Sequence, residues 1–229
     1  MTRLIALIAL IVVLFCVSTG AIYFISTSRY HFVVWDFHQL WSGARAFILR
    51  GENPYSDAVT LRIQTELYGR PARPDENAAG FFYPLYAVYL IMPVALMPYP
   101  LAEAAWFSTL EMALLAGVLA TAGALGWKLR PLALATLVVA VAALYPVTWA
   151  FILGQISLLV FAAMALALWV ARERRDVLAG VLLALSTVKP QMVFLFAPAL
   201  LIWAMARGRW RIVAAFIATL VILLSSSLA

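Results

Sequence analysis

The chain has 229 residues, 66% of them hydrophobic and 11% charged, with a mean hydropathy of +1.00. No single water-soluble core can enclose that much apolar surface, so the composition places the chain in a bilayer. The net charge of +6 is modest beside it and reads as Lys and Arg of cytoplasmic loops, not as the footprint of a nucleic-acid partner. Cys16 is the only cysteine, which excludes an intrachain disulfide and a cysteine-built metal site.

Leu4–Ile25 is an apolar stretch of roughly 20 residues, long enough to cross a bilayer. Ser18-Thr19-Gly20-Ala21 would suit a signal peptidase. The apolar stretch is too long for a signal peptide, however, and Arg3 alone is too thin a charged lead. An uncleaved first transmembrane helix over 4–25 is therefore expected. Residues 26–80 form the only long polar segment. Within it Phe37, Leu40, Trp41, Ala44, Phe47 and Ile48 recur at helical spacing, while His38, Ser42 and Arg45 fall on another face. Aromatic residues on the wet edge of such a stripe suit a helix lying in the membrane interface. Gly51 stops this helix and Asn53-Pro54-Tyr55 turns the chain. A second short helix is expected over Asp57–Tyr68, ending at Gly69, followed by a turn-rich loop over 70–77.

Asp36 stands ahead of the first interfacial helix. As an N-cap it would accept backbone N–H bonds and meet the positive end of the helix dipole. Beside the lipid headgroups it could also act as a general base on a lipid-borne substrate. Spacing alone leaves both roles open.

From Phe81 onward the chain reads as seven apolar runs: Phe81–Met97, Leu101–Leu125, Leu132–Ala150, Ile156–Ala171, Val177–Val188, Gln191–Ala206 and Ile212–Leu228. Prolines mark their ends or kinks. The expectation is an all-α fold, a polytopic transmembrane helical bundle forming one membrane domain over 1–229, with the multi-span region at 81–229. Three short basic loops, Lys128-Leu129-Arg130, Arg172-Glu173-Arg174-Arg175 and Arg207-Gly208-Arg209-Trp210-Arg211, are separated by two runs each and so share the cytoplasmic side. Counting every early run as a full crossing would put 26–80 in the cytoplasm as well. A re-entrant Phe81–Met97, which holds Pro84 and Pro93, would put it outside instead.

The far side receives Gly154-Gln155 and Lys189-Pro190-Gln191. An ionisable group between two apolar runs is a functional candidate, and the Lys189 ammonium beside a helix-breaking proline suits a lipid phosphate. The alternative is a snorkelling lysine that anchors a helix end. For Gln155 an interhelical hydrogen bond is the simpler use. His31 and His38 are too isolated to form a metal site, and no glycine-rich phosphate cradle occurs. No cofactor is expected.

The order of these elements resembles glycosyltransferase family 87, within the type-C membrane glycosyltransferase fold. The resemblance runs from about Asp36 to Ala206. It is carried by WDFHQLWSGARAFILRGENPYSD with its Gly-x-Asn-Pro-Tyr end, by Tyr83-Pro84 entering the next run, by Gly154-Gln155 and by Lys189-Pro190. It implies a multi-pass enzyme of the bacterial cell membrane that takes a hexose, often mannose, from a polyprenyl-phosphate carrier. The sugar passes with inversion to a lipid-linked or cell-envelope glycan on the extracytoplasmic side. Asp36 matches the base, in the first extracytoplasmic loop, that deprotonates the acceptor hydroxyl, which implies that 26–80 is an extracytoplasmic loop with interfacial helices and that Phe81–Met97 is re-entrant. Lys189 and Gln155 match positions near the carrier phosphate, and His38, Arg45, Tyr83 and Gln191 are further candidates for substrate contact. Ser157 stands where many relatives carry Asn. The chain is shorter than the family's usual pattern and closes on the apolar run Leu220–Ala229, which implies a truncated or reduced pocket. Two rival readings stay open: a lipid or glycolipid flippase or transporter that uses Lys189 as its headgroup site, and a non-catalytic membrane fragment in which Asp36 is only a cap.

Overall fold

A computed structural model describes residues 13, 15–24 and 34–227. Most of the first run, together with His31, lies outside the described residues. The described chain is helical, without strands. In order come α1 (Phe15–Phe24), α2 (Trp35–Arg50), α3 (Asp57–Tyr68), α4 (Ala87–Ala95), α5 (Tyr99–Leu125), α6 (Pro131–Ala142), α7 (Tyr145–Leu153), α8 (Ser157–Arg172), α9 (Asp176–Ser186), α10 (Pro190–Val193), α11 (Phe196–Ala206) and α12 (Trp210–Ser225). They divide into two compact units. The first gathers the residues up to Phe82 with Ala87–Met112 and Phe151–Gly154. The second holds Tyr83–Tyr86, Ala113–Ala150 and the chain from Gln155 on.

In the first unit, α2 and α3 end as their glycines dictate. Gly51 and Gly69 adopt left-handed backbone (φ 63° and 71°), and their N–H groups return to Phe47 O and Thr65 O. Between the helices, the Tyr55 N–H donates to Asn53 Oδ1 at 3.0 Å, an Asx turn, and Ser56 caps α3 by accepting from the Val59 N–H. The pair closes over a small core of Ala46, Val59, Ile63 and Ala79. On the wet side, hydrogen bonds from Arg62 and then Arg50 pull the Glu52 carboxyl down to about 2. Arg70 does the same for Glu76 across the 70–77 loop.

One expectation needs correcting. Asp36 is not the N-cap of α2; Val34 holds that position, and Asp36 sits in the first helical turn. The helix begins early because the Val34 N–H donates to the Tyr99 hydroxyl at 3.2 Å and the Val34 carbonyl accepts from the His38 N–H at 2.8 Å. A tertiary contact from α5 replaces the local cap.

The apolar runs are also more broken than their hydropathy suggests. Of Phe81–Met97 only nine residues, Ala87–Ala95, are helical, with Pro93 inside. Leu132–Ala150 divides into α6 and α7, bent by 68°, where Tyr145-Pro146 cannot continue the ladder. Among the described helices, α5, with 27 residues, is long and apolar enough to cross a membrane, and the bent pair α6–α7 passes the same test together.

The second unit is built on small residues. A Cβ at Gly180 of α9 would collide with the Ile212 carbonyl oxygen and sit 2.8 Å from the Ala215 Cβ, so the backbones of α9 and α12 lie in direct contact. Around this crossing Val170, Ala171, Ala179, Ala204 and Ile212 form a core. In the same way Gly117 and Gly123 on α5 make room for the rings of Phe161 and Trp169 on α8.

Candidate functional site

The first cluster surrounds the opening turn of α2. Phe37, next to Asp36, stacks on Trp106 at 5.0 Å between ring centroids, and also on Tyr99. Trp35, on the other side of Asp36, meets the Tyr68 ring edge-on at 5.1 Å. Asp36 is half-buried between these two pinned neighbours. The Tyr99 hydroxyl, having accepted the Val34 N–H, faces the buried carboxylate of Glu103 at 3.5 Å. Trp106 donates from its indole nitrogen to the Gly154 carbonyl at 2.8 Å. Gly154 has φ +65°, and a Cβ there would collide with Val34 and lie 2.8 Å from the Phe37 Cβ. Glycine is therefore required twice over, by backbone conformation and by space.

His38 and Arg45, on the other face of α2, are drawn into the first unit's interior. His38 is only 7% exposed, with Nε2 lying 3.6 Å from a Glu66 carboxylate oxygen. The same oxygen accepts from the Ser42 hydroxyl at 2.8 Å. Nδ1 is buried and makes no hydrogen bond. Burial pushes the His38 pKa down, and the nearby Glu66 charge only partly opposes it. The ring is thus neutral at physiological pH. Arg45 donates to the Ala95 and Met97 carbonyls (2.9 and 3.2 Å) and covers the Trp41 ring at 4.8 Å. This ties α2 to the C-terminal end of α4, where carbonyls left over by the helix accept a cation, the Trp41 indole also donating to Met97 O at 3.3 Å.

The second cluster lies in the second unit. Lys189, between α9 and α10, donates from Nζ to Ser157 Oγ at 2.6 Å and to Gln155 Oε1 at 3.2 Å. The Ser157 hydroxyl in turn donates to Gln155 Oε1 at 3.0 Å. Gln155 and Ser157 are neutral acceptors that orient the ammonium. Tyr86 joins the same unit through a 3.0 Å hydroxyl contact with Thr187, two residues before Lys189. Tyr83 is half-buried in that short segment, and Gln191 is exposed one residue beyond Pro190.

The expected residues therefore separate into two sets. Gln155 and Lys189 touch, and Tyr83 and Gln191 belong to the same unit. Asp36, His38 and Arg45 share α2 in the other unit. Sequence reasoning named Ser157 only as standing where many relatives carry Asn, and missed that its hydroxyl accepts from Lys189 at 2.6 Å. It also missed Tyr99, Glu103 and Trp106, the residues that hold the α2 entry. A carboxylate within an apolar run was the available signal for Glu103.

No curated protein and no solved structure matches the chain. The family model of glycosyltransferase family 87 matches residues 81–229, an interval that contains Tyr83, Gln155, Lys189 and Gln191 and begins after Asp36, His38 and Arg45. That match covers more than half of the sequence, and the chain belongs to glycosyltransferase family 87.

Proposed function

We propose that this glycosyltransferase is a polytopic enzyme of the cell membrane that takes a hexose from a polyprenyl-phosphate carrier and passes it, with inversion, to a lipid-linked or envelope glycan. Family membership supplies the reaction class. The observation that carries the choice of donor is the Lys189 ammonium held by Gln155 and Ser157 at a proline-broken helix junction. A cation oriented by Gln155 and Ser157 and set between apolar helices suits a phosphate on a lipid tail better than a diffusing nucleotide, which would call for a larger polar surface.

In this reading the acceptor hydroxyl oxygen attacks the anomeric carbon and a new glycosidic bond forms. The bond from that carbon to the carrier's phosphate oxygen breaks, and the electron pair leaves with the phosphate toward Lys189. The hydroxyl proton passes to the Asp36 carboxylate. The aromatic packing of Trp35 and Phe37 holds the first turn of α2 still and limits the reorganisation that the base must undergo. The short α4 supports an outside location for 26–80. Nine residues rise only about 14 Å, less than half the roughly 30 Å hydrocarbon core, so Ala87–Ala95 does not cross it alone.

The test is transfer of radiolabelled sugar from a polyprenyl-phosphate donor in membranes. Asp36→Asn, which keeps size and removes basicity, should lower the rate by about 10²–10⁴-fold while the protein stays in the membrane. Unchanged transfer would remove Asp36 from the mechanism. Transfer from a nucleotide-sugar in its place would remove the carrier.

A further inference from the structure

Away from both clusters, the second unit contains a cavity of about 660 Å³ near two of the basic loops, within the range of about 300–1,000 Å³ typical of small-molecule sites. Its lining changes character along two helices at once. On α8, Leu168 is followed one turn later by Arg172. On α11, Phe196 and Ala199 lead to Trp203 and then, one turn on, to Arg207. Both stripes run from apolar to cationic toward the helix C-terminus, and Arg174 adds a further guanidinium from the loop after α8. The cavity is therefore greasy at one end and positive at the other, as an amphiphile is built in reverse.

The charge is available. Arg209, which also lines the cavity, is paired with Asp176, bonds the Ala171 carbonyl at 2.6 Å and packs 5.1 Å from the Trp203 ring centre; it serves as the back wall. Among the described residues, none of Arg172, Arg174 and Arg207 has a carboxylate within ion-pairing distance, although the Arg174 charge is felt at longer range by Asp176. Arg172 contacts the Ala124 and Gly123 carbonyls at the end of α5, and both bonds come from Nη1. A purely topogenic role would need positive charge in the loops. It would not need an apolar trough leading into them.

We propose that this cavity binds an anionic membrane phospholipid, its phosphate held by Arg172, Arg174 and Arg207 and an acyl chain laid along Leu168, Phe196 and Trp203. The site rests on the reading of the chain as a membrane protein, and on nothing about the sugar-transfer reaction. A free phosphate would use the arginines and leave the trough empty. A zwitterionic lipid would fill the trough and bring no net charge to the arginines.

The experiment is a thermal unfolding titration of the purified chain in neutral detergent with phosphatidylglycerol, phosphatidylcholine of the same acyl chains, and inorganic phosphate. Phosphatidylglycerol should raise Tm saturably, and the other two should not. Each Arg→Gln change at 172, 174 or 207 should weaken the apparent affinity by about fivefold. The triple Arg→Lys variant, which retains the charge, should keep most of the shift and report that such changes still allow folding. Lys128→Gln with Arg130→Gln, in the basic loop that does not line the cavity, should titrate as the parent does. Equal shifts from both lipids, a shift from inorganic phosphate alone, or a triple Gln variant that titrates like the parent would overturn the site. Carbonate washing of membranes separates the two readings. Protein retained in the membrane but indifferent to phosphatidylglycerol overturns only the lipid site, and protein released into the wash overturns the membrane reading and this site together.

Discussion

The two units differ in the means that hold their helices together most conspicuously. Around α2 the first unit uses large, directional side chains. Phe37, Tyr99 and Trp106 stack, the Tyr99 hydroxyl serves the backbone of Val34, and the Trp106 indole serves the backbone of Gly154. The second unit uses the absence of side chains. Gly180 lets the α9 and α12 backbones touch, and Gly117 and Gly123 admit rings from α8. Directional packing fixes the orientation of one short turn, which suits a residue that must meet a substrate atom. Close backbone approach instead fixes the distance between long elements. If the chain spans a bilayer as proposed, apolar surface there gains nothing by hiding from lipid, and close approach is the means left for bringing helices together.

That contrast can be broken at its strongest point. Trp106→Ala removes a ring and an indole donor in one change and should cost about 3–5 kcal/mol, read as a fall in the unfolding midpoint in detergent. Transfer should fall with it, since Asp36 loses the support of Phe37. A stable Trp106→Ala protein would mean that the aromatic cluster is decoration. Gly180→Ala tests the other half. The added methyl meets the Ile212 carbonyl and lies 2.8 Å from the Phe216 nitrogen, and over-packing of this kind costs about 1–3 kcal/mol. The readout is whether a cysteine pair placed across α9 and α12 still cross-links as it does in the parent.

The smallest effect expected is electrostatic and belongs to the first unit alone. The His38 pKa is lowered on folding, so the unfolded chain binds the proton more readily. Stability is then fully present above about 6.5, the ordinary histidine value, and is lost as pH falls from there through the folded value. The unfolding midpoint should decline below that pH, and His38→Gln should flatten the decline. An unchanged slope in that variant would assign the acid sensitivity to other groups.

Much of the stretch from α2 through α3 was legible from local chemistry. Gly51 and Gly69 stop their helices where a left-handed residue is required, and Asn53-Pro54 makes its turn with its own side chain. The contact of Gln155 with Lys189 was not legible. Thirty-four positions separate them, and only packing closes that distance. Asp36 shows the same limit from the other direction. Its residue type and place before a helix read as a cap, yet a tyrosine sixty-five positions beyond Val34 took over the entry of the chain.

By itself the sequence determined the helical class, the ends of the glycine-stopped helices and a resemblance that the family match bears out, because periodicity, turn chemistry and short motifs are local and survive without knowledge of what lies across the chain. The tertiary structure alone decided which hydroxyl aims the lysine, which rings hold the α2 turn, and that two basic loops and two apolar stripes frame one cavity. Those choices depend on which helices can approach closely, and that is set by the shapes of glycine, alanine and tryptophan faces once they meet.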